Sequence, residues 1–312
     1  MRLSLAFTVA SLSVLPLAAC GGDDSNTTPD APEDESGFAT PTVTLKANME
    51  VSDDNWTEIG PANLACLNTA TSDTPTATSV TLHTKVTDFQ SGNSVPSATV
   101  VAFKGQDQAM MFDTKTSDAS TATLDIVIPA GVTRYGFKMT SSSALPTLLL
   151  NQIVNPAKVT NMETTDPNKI QSVSNATAAL LPALIGQTRT PGTGVVAGAL
   201  RDCDGKEVSG FIAAVSSTPG TNTPIAGAQA YYFSDSVGLP QHHREAPYAS
   251  KDGLFMIIQL PATLGTGYVQ MWGFPTDADL AMGKAGLKLI AELQVPLIAD
   301  TVITGSYEPK RN

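Results

Sequence analysis

The stretch between Gly194 and Gly273 decides the fold. It opens with Gly-Val-Val-Ala-Gly-Ala-Leu-Arg-Asp (194–202) and turns at Cys-Asp-Gly (203–205). It continues with Ile-Ala-Gly-Ala-Gln-Ala-Tyr-Tyr-Phe (225–233) and closes with Gly-Tyr-Val-Gln-Met-Trp-Gly (267–273). Short apolar runs divided by Gly, Pro and Asp turns are typical of antiparallel strands in a β-sandwich.

Composition agrees with this prediction. The chain has 312 residues, of which 42% are hydrophobic and only 15% are charged, so it can bury a core of about two domains. The net charge is −11. Ten acidic residues lie between Asp23 and Glu58 against the single basic residue Lys46, so most of the negative charge belongs to one N-terminal segment. Lys and Arg are scarce, which argues against a nucleic-acid partner.

The N-terminus carries a targeting signal. Arg2 precedes an apolar run, residues 3–15, which is too short to span a bilayer, and Leu-Ala-Ala-Cys follows at 17–20. This motif resembles the bacterial lipobox, which implies cleavage of the signal peptide 1–19 and diacylglyceryl and acyl (palmitate-type) modification of Cys20. The alternative is an ordinary signal peptide with a chance cysteine. Residue 21 is Gly rather than Asp, which in such lipoproteins resembles an outer-membrane destination.

Residues 20–54 are rich in Gly, Asp, Ser, Asn, Thr, Pro and Glu. Such a segment buries too little apolar surface to fold alone, so we predict a lipidated, acidic, flexible tether. A first β-sandwich is predicted over 55–155, a connector with a short helix over 156–193, and a second β-sandwich over 194–312.

The two sandwiches share a sequence pattern. Val86-Thr-Asp88 with Ser91-Gly92 parallels Leu200-Arg-Asp202 with Asp204-Gly205, and Ile128-Pro-Ala130 before Tyr135 parallels Leu260-Pro-Ala262 before Tyr268. We interpret this as an internal duplication. Both halves resemble the carboxypeptidase regulatory-like, or transthyretin-like, sandwich domain, and the whole is similar to uncharacterised bacterial surface lipoproteins. The first copy lacks the Asp-Gly-Leu-Phe element found at 252–255. These motifs are turn chemistry, so they imply a fold and no activity.

The connector contains the one predicted helix, residues 174–185, with Ser174 as its N-cap and Gly186 as its stop. Pro182 lies inside it and is expected to kink or shorten it.

Cys66 and Cys203 remain once Cys20 is set aside. Two thiols in an oxidising envelope compartment favour a disulfide, and two separate buried thiols are the alternative.

Other candidate residues are weaker. His242 and His243 are adjacent in a predicted loop and need Glu245, Asp235 or His83 to complete a metal site, so an exposed pair is the plainer interpretation. Tyr231, Tyr248 and Trp272 are candidates for stacking on a glycan, although aromatic residues in strands are more often core. No nucleophile, zincin or phosphate-loop motif is present in the sequence.

The sequence therefore predicts a non-enzymatic binding or structural module at the cell envelope. We expect a lipid anchor in the membrane, no cofactor, and a protein or glycan partner. The alternative is an envelope hydrolase or glycan-binding protein with a site that the sequence does not reveal.

Overall fold

The computed structural model describes residues 40–52, 55–154, 168–236, 238–242, 245–305 and 307–312. The predicted signal peptide, Cys20 and His243 lie outside these residues. No helix among the described residues has the length and apolarity to cross a bilayer.

The described residues of the first half contain nine strands: β1 Lys46–Ser52, β2 Asn55–Pro61, β3 Val80–Asp88, β4 Thr99–Lys104, β5 Met111–Thr116, β6 Thr123–Ile128, β7 Arg134–Thr140, β8 Thr147–Ile153 and β9 Asn168–Ser172. Those of the second half contain nine more: β10 Thr193–Ala199, β11 Glu207–Ser209, β12 Ile212–Ser216, β13 Gln229–Phe233, β14 Pro240–Gln241, β15 Leu254–Pro261, β16 Thr266–Gly273, β17 Lys288–Pro296 and β18 Val302–Gly305. The α-helices are α1 Asn175–Leu184 and α2 Asp277–Ala281. Short 3-10 turns cover Ala262–Leu264 and Gly283–Gly286.

The first sandwich packs the sheet β6-β3-β9 against the strands β8-β7-β4-β5. Strand β3 alternates as the sequence predicted, with Val80, Leu82 and Val86 buried. They join Ile126 on β6 and Phe137 on β7 in one apolar core. A strand with one face buried keeps this period of two because successive side chains point to opposite faces.

The second sandwich packs the sheet β12-β16-β17 against β14-β13-β15-β10. Its core contains Phe211, Tyr232, Phe255 and Met271. Tyr232 and Phe255 each meet Phe211 edge to face, with ring centroids 6.3 and 6.1 Å away. The mainly β, two-sandwich prediction is therefore confirmed.

Strand β18 joins the two sandwiches. The strand order of the nine-stranded sheet is β14-β13-β15-β10-β18-β8-β7-β4-β5. Strand β18 therefore lies between the strands of the second half and those of the first half. It runs parallel to both of its neighbours. The sequence predicted two antiparallel sandwiches, and these parallel pairings, together with that of β9 on β3, are a difference from it. The two halves consequently share one backbone hydrogen-bond ladder.

Three other boundaries differ from the prediction. Residues 46–52, placed in the tether, form β1, and Leu45 before them is fully buried. Strand β1 pairs with β11, so β1 and β2 belong with the second half. Strand β9, placed in the connector, completes the first sandwich. Strands β1 and β9 pair with β11 and β3, which are distant in sequence, so local composition does not indicate where they belong. Strand β2 follows β1, its only strand partner among the described residues.

Helix α1 begins where the sequence predicted. Ser174 Oγ accepts a hydrogen bond from the Thr177 backbone N–H at 3.1 Å, which is an N-cap. The helix continues to Leu184 with Pro182 inside it. Helix α2 is likewise capped by Thr276, whose Oγ1 accepts from the Asp279 N–H at 3.2 Å.

Candidate binding pocket under the connector helix

Helix α1 covers the face of the nine-stranded sheet that points away from the second sandwich's core. Along β13 and β15 the side chains alternate: Tyr232 and Phe255 enter the core, whereas Tyr231, Phe233 and Met256 point to the opposite face. Leu181 of α1 packs on that second face. This sheet is therefore buried on both sides, which explains its near-continuous apolar sequence.

An apolar cavity of about 40 Å³ remains between the helix and the sheet. The first half, α1, the second half and β18 all contribute to its wall. The lining residues are Phe89, Leu145, Val173, Ala178, Leu181, Pro182, Arg189, Val195, Ala197, Phe233, Met256, Ile258 and Val302. Pockets form preferentially at such junctions between domains.

A wider depression of about 320 Å³ adjoins this cavity and shares Leu145, Ala178 and Arg189 with it. Its other lining residues are Asn175, Ala179, Ala183, Gln187 and Thr188, so its wall is partly polar. The two spaces form an apolar chamber with a polar outer rim, which we call the α1 pocket.

Arg189 is the charged side chain of the α1 pocket. Its Nη1 donates to Asp300 Oδ1 at 2.6 Å and to the Thr193 carbonyl at 3.0 Å. The Arg189 guanidinium holds the pKa of Asp300 below its usual range, and the Gly192 N–H adds to this effect. The pair with Asp300 therefore neutralises the charge of the one charged side chain among the described lining residues.

Pro182 removes one backbone hydrogen bond from helix α1. Proline has no N–H, so it cannot donate to the carbonyl of Ala178 one turn earlier. Ala178 and Pro182 lie on the same face of the helix and both line the cavity. The Ala178 carbonyl therefore lacks the donor that the residue four positions later normally supplies in a helix.

Asp88, at the end of β3, positions the helix. Its Oδ2 accepts from the Ser174 N–H at 2.7 Å, and its Oδ1 accepts from Thr177 Oγ1 at 3.1 Å and from the Ser91 N–H at 2.9 Å. Burial alone raises the pKa of this carboxyl, but these hydrogen bonds outweigh it and lower the pKa to about 2. The first sandwich thus fixes the start of α1.

The disulfide predicted from the sequence is present. Cys66 and Cys203 are bonded, with their Cα atoms 5.8 Å apart, inside the range that a disulfide requires. Hydrogen bonds surround it: the Cys203 N–H donates to the Asn63 carbonyl at 2.9 Å, and the Asn63 N–H donates to Asp202 Oδ2 at 3.0 Å. The segment before the first sandwich is therefore attached to the first turn of the second.

The other candidate residues do not form a site. His242 lies in the loop after β14, and among the residues the structure describes no group of three or more His, Cys, Asp or Glu side chains could hold a metal. Tyr231 is fully buried and Trp272 is only 9% exposed, so neither stacks on a ligand at the surface. Tyr248 is half-buried, with its hydroxyl 3.5 Å from Thr42 Oγ1. This agrees with the plainer sequence interpretation, in which aromatic residues in strands are more often core.

The sequence did not reveal the α1 pocket. Its residues come from segments distant in sequence, and each alone has the pattern of core or connector. Pro182 inside a helical pattern was the one local signal, because an internal proline frees a backbone carbonyl.

No protein-family model matches the chain, and no curated protein matches it. The resemblance to transthyretin-like domains therefore stays a prediction.

Among solved structures, the Bacillus anthracis TIE protein aligns at 10% identity and a TM-score of 0.22, covering 73% of this chain and 34% of that one. The shaft pilin spaA from Lactobacillus rhamnosus GG aligns at 12% identity and a TM-score of 0.21, covering 76% of this chain and 98% of that one. The Streptococcal ancillary pilin aligns at 14% identity and a TM-score of 0.21, covering 75% of this chain and 63% of that one. Each of these is a distant likeness.

Proposed function

We propose that this chain is a non-enzymatic lipoprotein of the bacterial cell envelope, anchored in the outer membrane through Cys20, that binds a partner protein at the α1 pocket. The observation that carries the binding role is the chemistry of that pocket. Its chamber is apolar, and its one charged side chain among the described residues, Arg189, is neutralised by Asp300 at 2.6 Å. Such a pocket can hold an apolar group but cannot transfer a proton.

The size of the α1 pocket defines the ligand class. A chamber of about 40 Å³ accepts part of one aliphatic side chain, and the adjoining depression of about 320 Å³ leaves room for the backbone that carries it. The Ala178 carbonyl can accept a hydrogen bond from a backbone N–H. We therefore favour a peptide segment with one aliphatic residue. A glycan is less suited, because Tyr231 and Trp272 are buried.

The connections between the two halves suit presentation of such a site. The nine-stranded sheet joins the two halves through β18. The Cys66–Cys203 bond attaches the segment before the first sandwich to the second half. Arg134, at the start of β7, donates to Asp73 Oδ2 at 2.5 Å and to Glu308 Oε2 at 3.2 Å, which attaches the C-terminal segment to the first sandwich.

Envelope extracts are the source of partners for a direct test. The Ala178→Phe variant places an aromatic ring in the mouth of the α1 pocket, whereas Ala176→Phe makes the same change at an exposed position of α1 outside the lining. Capture of an envelope protein by the wild type and by Ala176→Phe, with loss in Ala178→Phe, supports the proposal. Equal capture by all three proteins contradicts it.

Metabolic labelling with a fatty acid tests the anchor separately. The wild type is expected to incorporate label and to fractionate with outer membranes, and Cys20→Ala is expected to do neither. Label retained in Cys20→Ala would refute the anchor and leave the pocket unaffected.

A further inference from the structure

Strand β18 occupies a slot built entirely from residues that precede it in the chain. Val302 to Gly305 pair with Thr147 to Leu150 on β8, and Val302 and Ile303 pair with Val195 and Val196 on β10. Without β18, the nine-stranded sheet divides into two groups of four strands with an open edge on each side of the slot.

The side chains of this segment fill prepared spaces. Ile303 is fully buried in the second sandwich's core, and Val302 forms part of the α1 pocket. Tyr307 meets Phe255 edge to face at 5.4 Å. A Cβ atom on Gly198 would lie 2.6 Å from the Tyr307 ring, so glycine is needed there to admit it. The slot is thus complementary to this one segment.

The connection that delivers β18 is short and strained. Strand β17 ends at Pro296 in a different sheet, and four residues lead to Thr301. Asp300 in this connection has a φ of +50°, the left-handed region that non-glycine residues disfavour. Arg189 and the Gly192 N–H hold it there through Oδ1. Strained short hinges favour exchange of a segment between copies, because extension of the hinge relieves the strain.

We propose that β18 exchanges between copies of this chain, so that the slot between β8 and β10 of one molecule receives the C-terminal strand of another. Every contact of β18 is re-formed in the exchanged state, because an identical copy presents an identical slot. Only the hinge 298–300 changes conformation, because Leu297 before it is buried in the second sandwich's core. The product is a dimer or a longer assembly held by main-chain hydrogen bonds. This inference depends on neither the lipid anchor nor the α1 pocket.

Cross-linking between two differently tagged full chains tests the exchange. One chain carries Leu149→Cys and the other Thr304→Cys, since these positions pair across β8 and β18. Both chains carry Cys20→Ser, so that the engineered thiols are the reactive ones. The mixture is warmed below the unfolding midpoint at rising protein concentration, oxidised, and analysed by non-reducing electrophoresis and peptide mapping. We expect a heterodimer joined 149 to 304 whose yield rises with concentration.

Two controls make the result decisive. Val127→Cys, at an exposed position on β6, replaces Leu149→Cys to give the background of random cross-linking. A single chain with both Leu149→Cys and Thr304→Cys must cross-link internally, which shows that the variant folds. If the single chain with Leu149→Cys and Thr304→Cys does not cross-link internally, the pair Val195→Cys and Val302→Cys tests the other side of the slot.

Arg189→Met removes the side chain that holds the hinge at Asp300. It is expected to raise the heterodimer yield about five-fold, the effect of roughly 1 kcal/mol on an equilibrium. The proposal would be overturned by one combination of results. The single chain cross-links internally, but the heterodimer is no more abundant than the Val127→Cys background. This must hold both for chains with the unchanged hinge and for chains with Arg189→Met.

Discussion

Asp88 Oδ2 accepts a 2.7 Å hydrogen bond from the backbone N–H of Ser174, although 86 residues separate them in the sequence. The contact joins the last residue of β3 to the residue before α1, so the first sandwich sets where the helix starts. Helix α1 forms one wall of the α1 pocket, at the junction of the two halves. The Asp88 carboxylate therefore fixes the position of the helix that lines the candidate site.

Asp88→Ala should therefore destabilise the protein by about 1–3 kcal/mol, since it leaves the Ser174 N–H and the Thr177 hydroxyl without this acceptor. Urea unfolding at neutral pH measures the change. Asp118→Ala is the matched control: Asp118 accepts from Ser120 and Thr121 in an exposed turn. An equal loss in both variants would contradict the special role of Asp88.

Acid should remove this contribution. The folded-state pKa of Asp88, about 2, lies below its ordinary value of 3.8. A depressed carboxyl pKa stabilises the fold above the ordinary value, and the stabilisation is lost as pH falls through the folded value. The stability difference between the wild type and Asp88→Asn should be full at pH 6 and shrink between pH 4 and 2. A difference that stays constant from pH 6 to pH 2 would show that the charge is unimportant.

Removing the disulfide should lower stability strongly. Cys66 and Cys203 are 137 residues apart, and for such a loop the chain-entropy model gives up to about 5 kcal/mol. The variant Cys66→Ser/Cys203→Ser should lose most of this amount in urea unfolding. The hydrogen bonds between Asn63 and the 202–204 turn remain in the variant and are expected to moderate the loss. A reduced wild type serves as the comparison, and an unchanged midpoint in both would refute the prediction.

Arg134→Met should cost about 2–4 kcal/mol, because Asp73 and Glu308 then face each other's charge without the guanidinium between them. Amide hydrogen exchange should also increase in residues 307–312. Arg201→Met is the control: its ion pair with Glu207 is exposed, and such pairs contribute about 0–1 kcal/mol. Equal effects at the two positions would count against the contact as an anchor of the C-terminus.

Gly198→Ala should destabilise the junction of the halves, because the added Cβ would lie 2.6 Å from the Tyr307 ring. We expect about 1–3 kcal/mol from this overpacking, on top of backbone strain. Gly205→Ala, at a φ of +75° with open space around it, isolates the strain alone and should cost about 1 kcal/mol. Thermal unfolding compares the two. Similar losses would mean that Tyr307 moves aside without cost.

Local patterns predicted most of the elements. The stretch Val80 to Val86 lies in a strand because its period-two alternation reports one buried face. The stretches 267–273 and 287–295 were also predicted as strands, and they lie in or at β16 and β17. Ser174 and Gly186 bounded α1 correctly, since caps satisfy the free backbone groups of a helix and depend on local chemistry. The Cys66–Cys203 pairing followed from counting thiols in an oxidising compartment.

Only the tertiary structure decided how these elements meet. Three features depend on contacts between distant segments. Strand β18 lies between β8 and β10, and β1 belongs to the second half. Helix α1 leaves a cavity over Phe233 and Met256. Strand pairing is chosen by the whole set of faces that must be buried together, and a four-residue strand such as Val302–Gly305 fits many edges by its own pattern. The sequence by itself determined the strands, caps and turns, whose energetics are local. The junction of the two halves and the α1 pocket were decided only by the tertiary structure, because the contacts that stabilise them join segments distant in sequence.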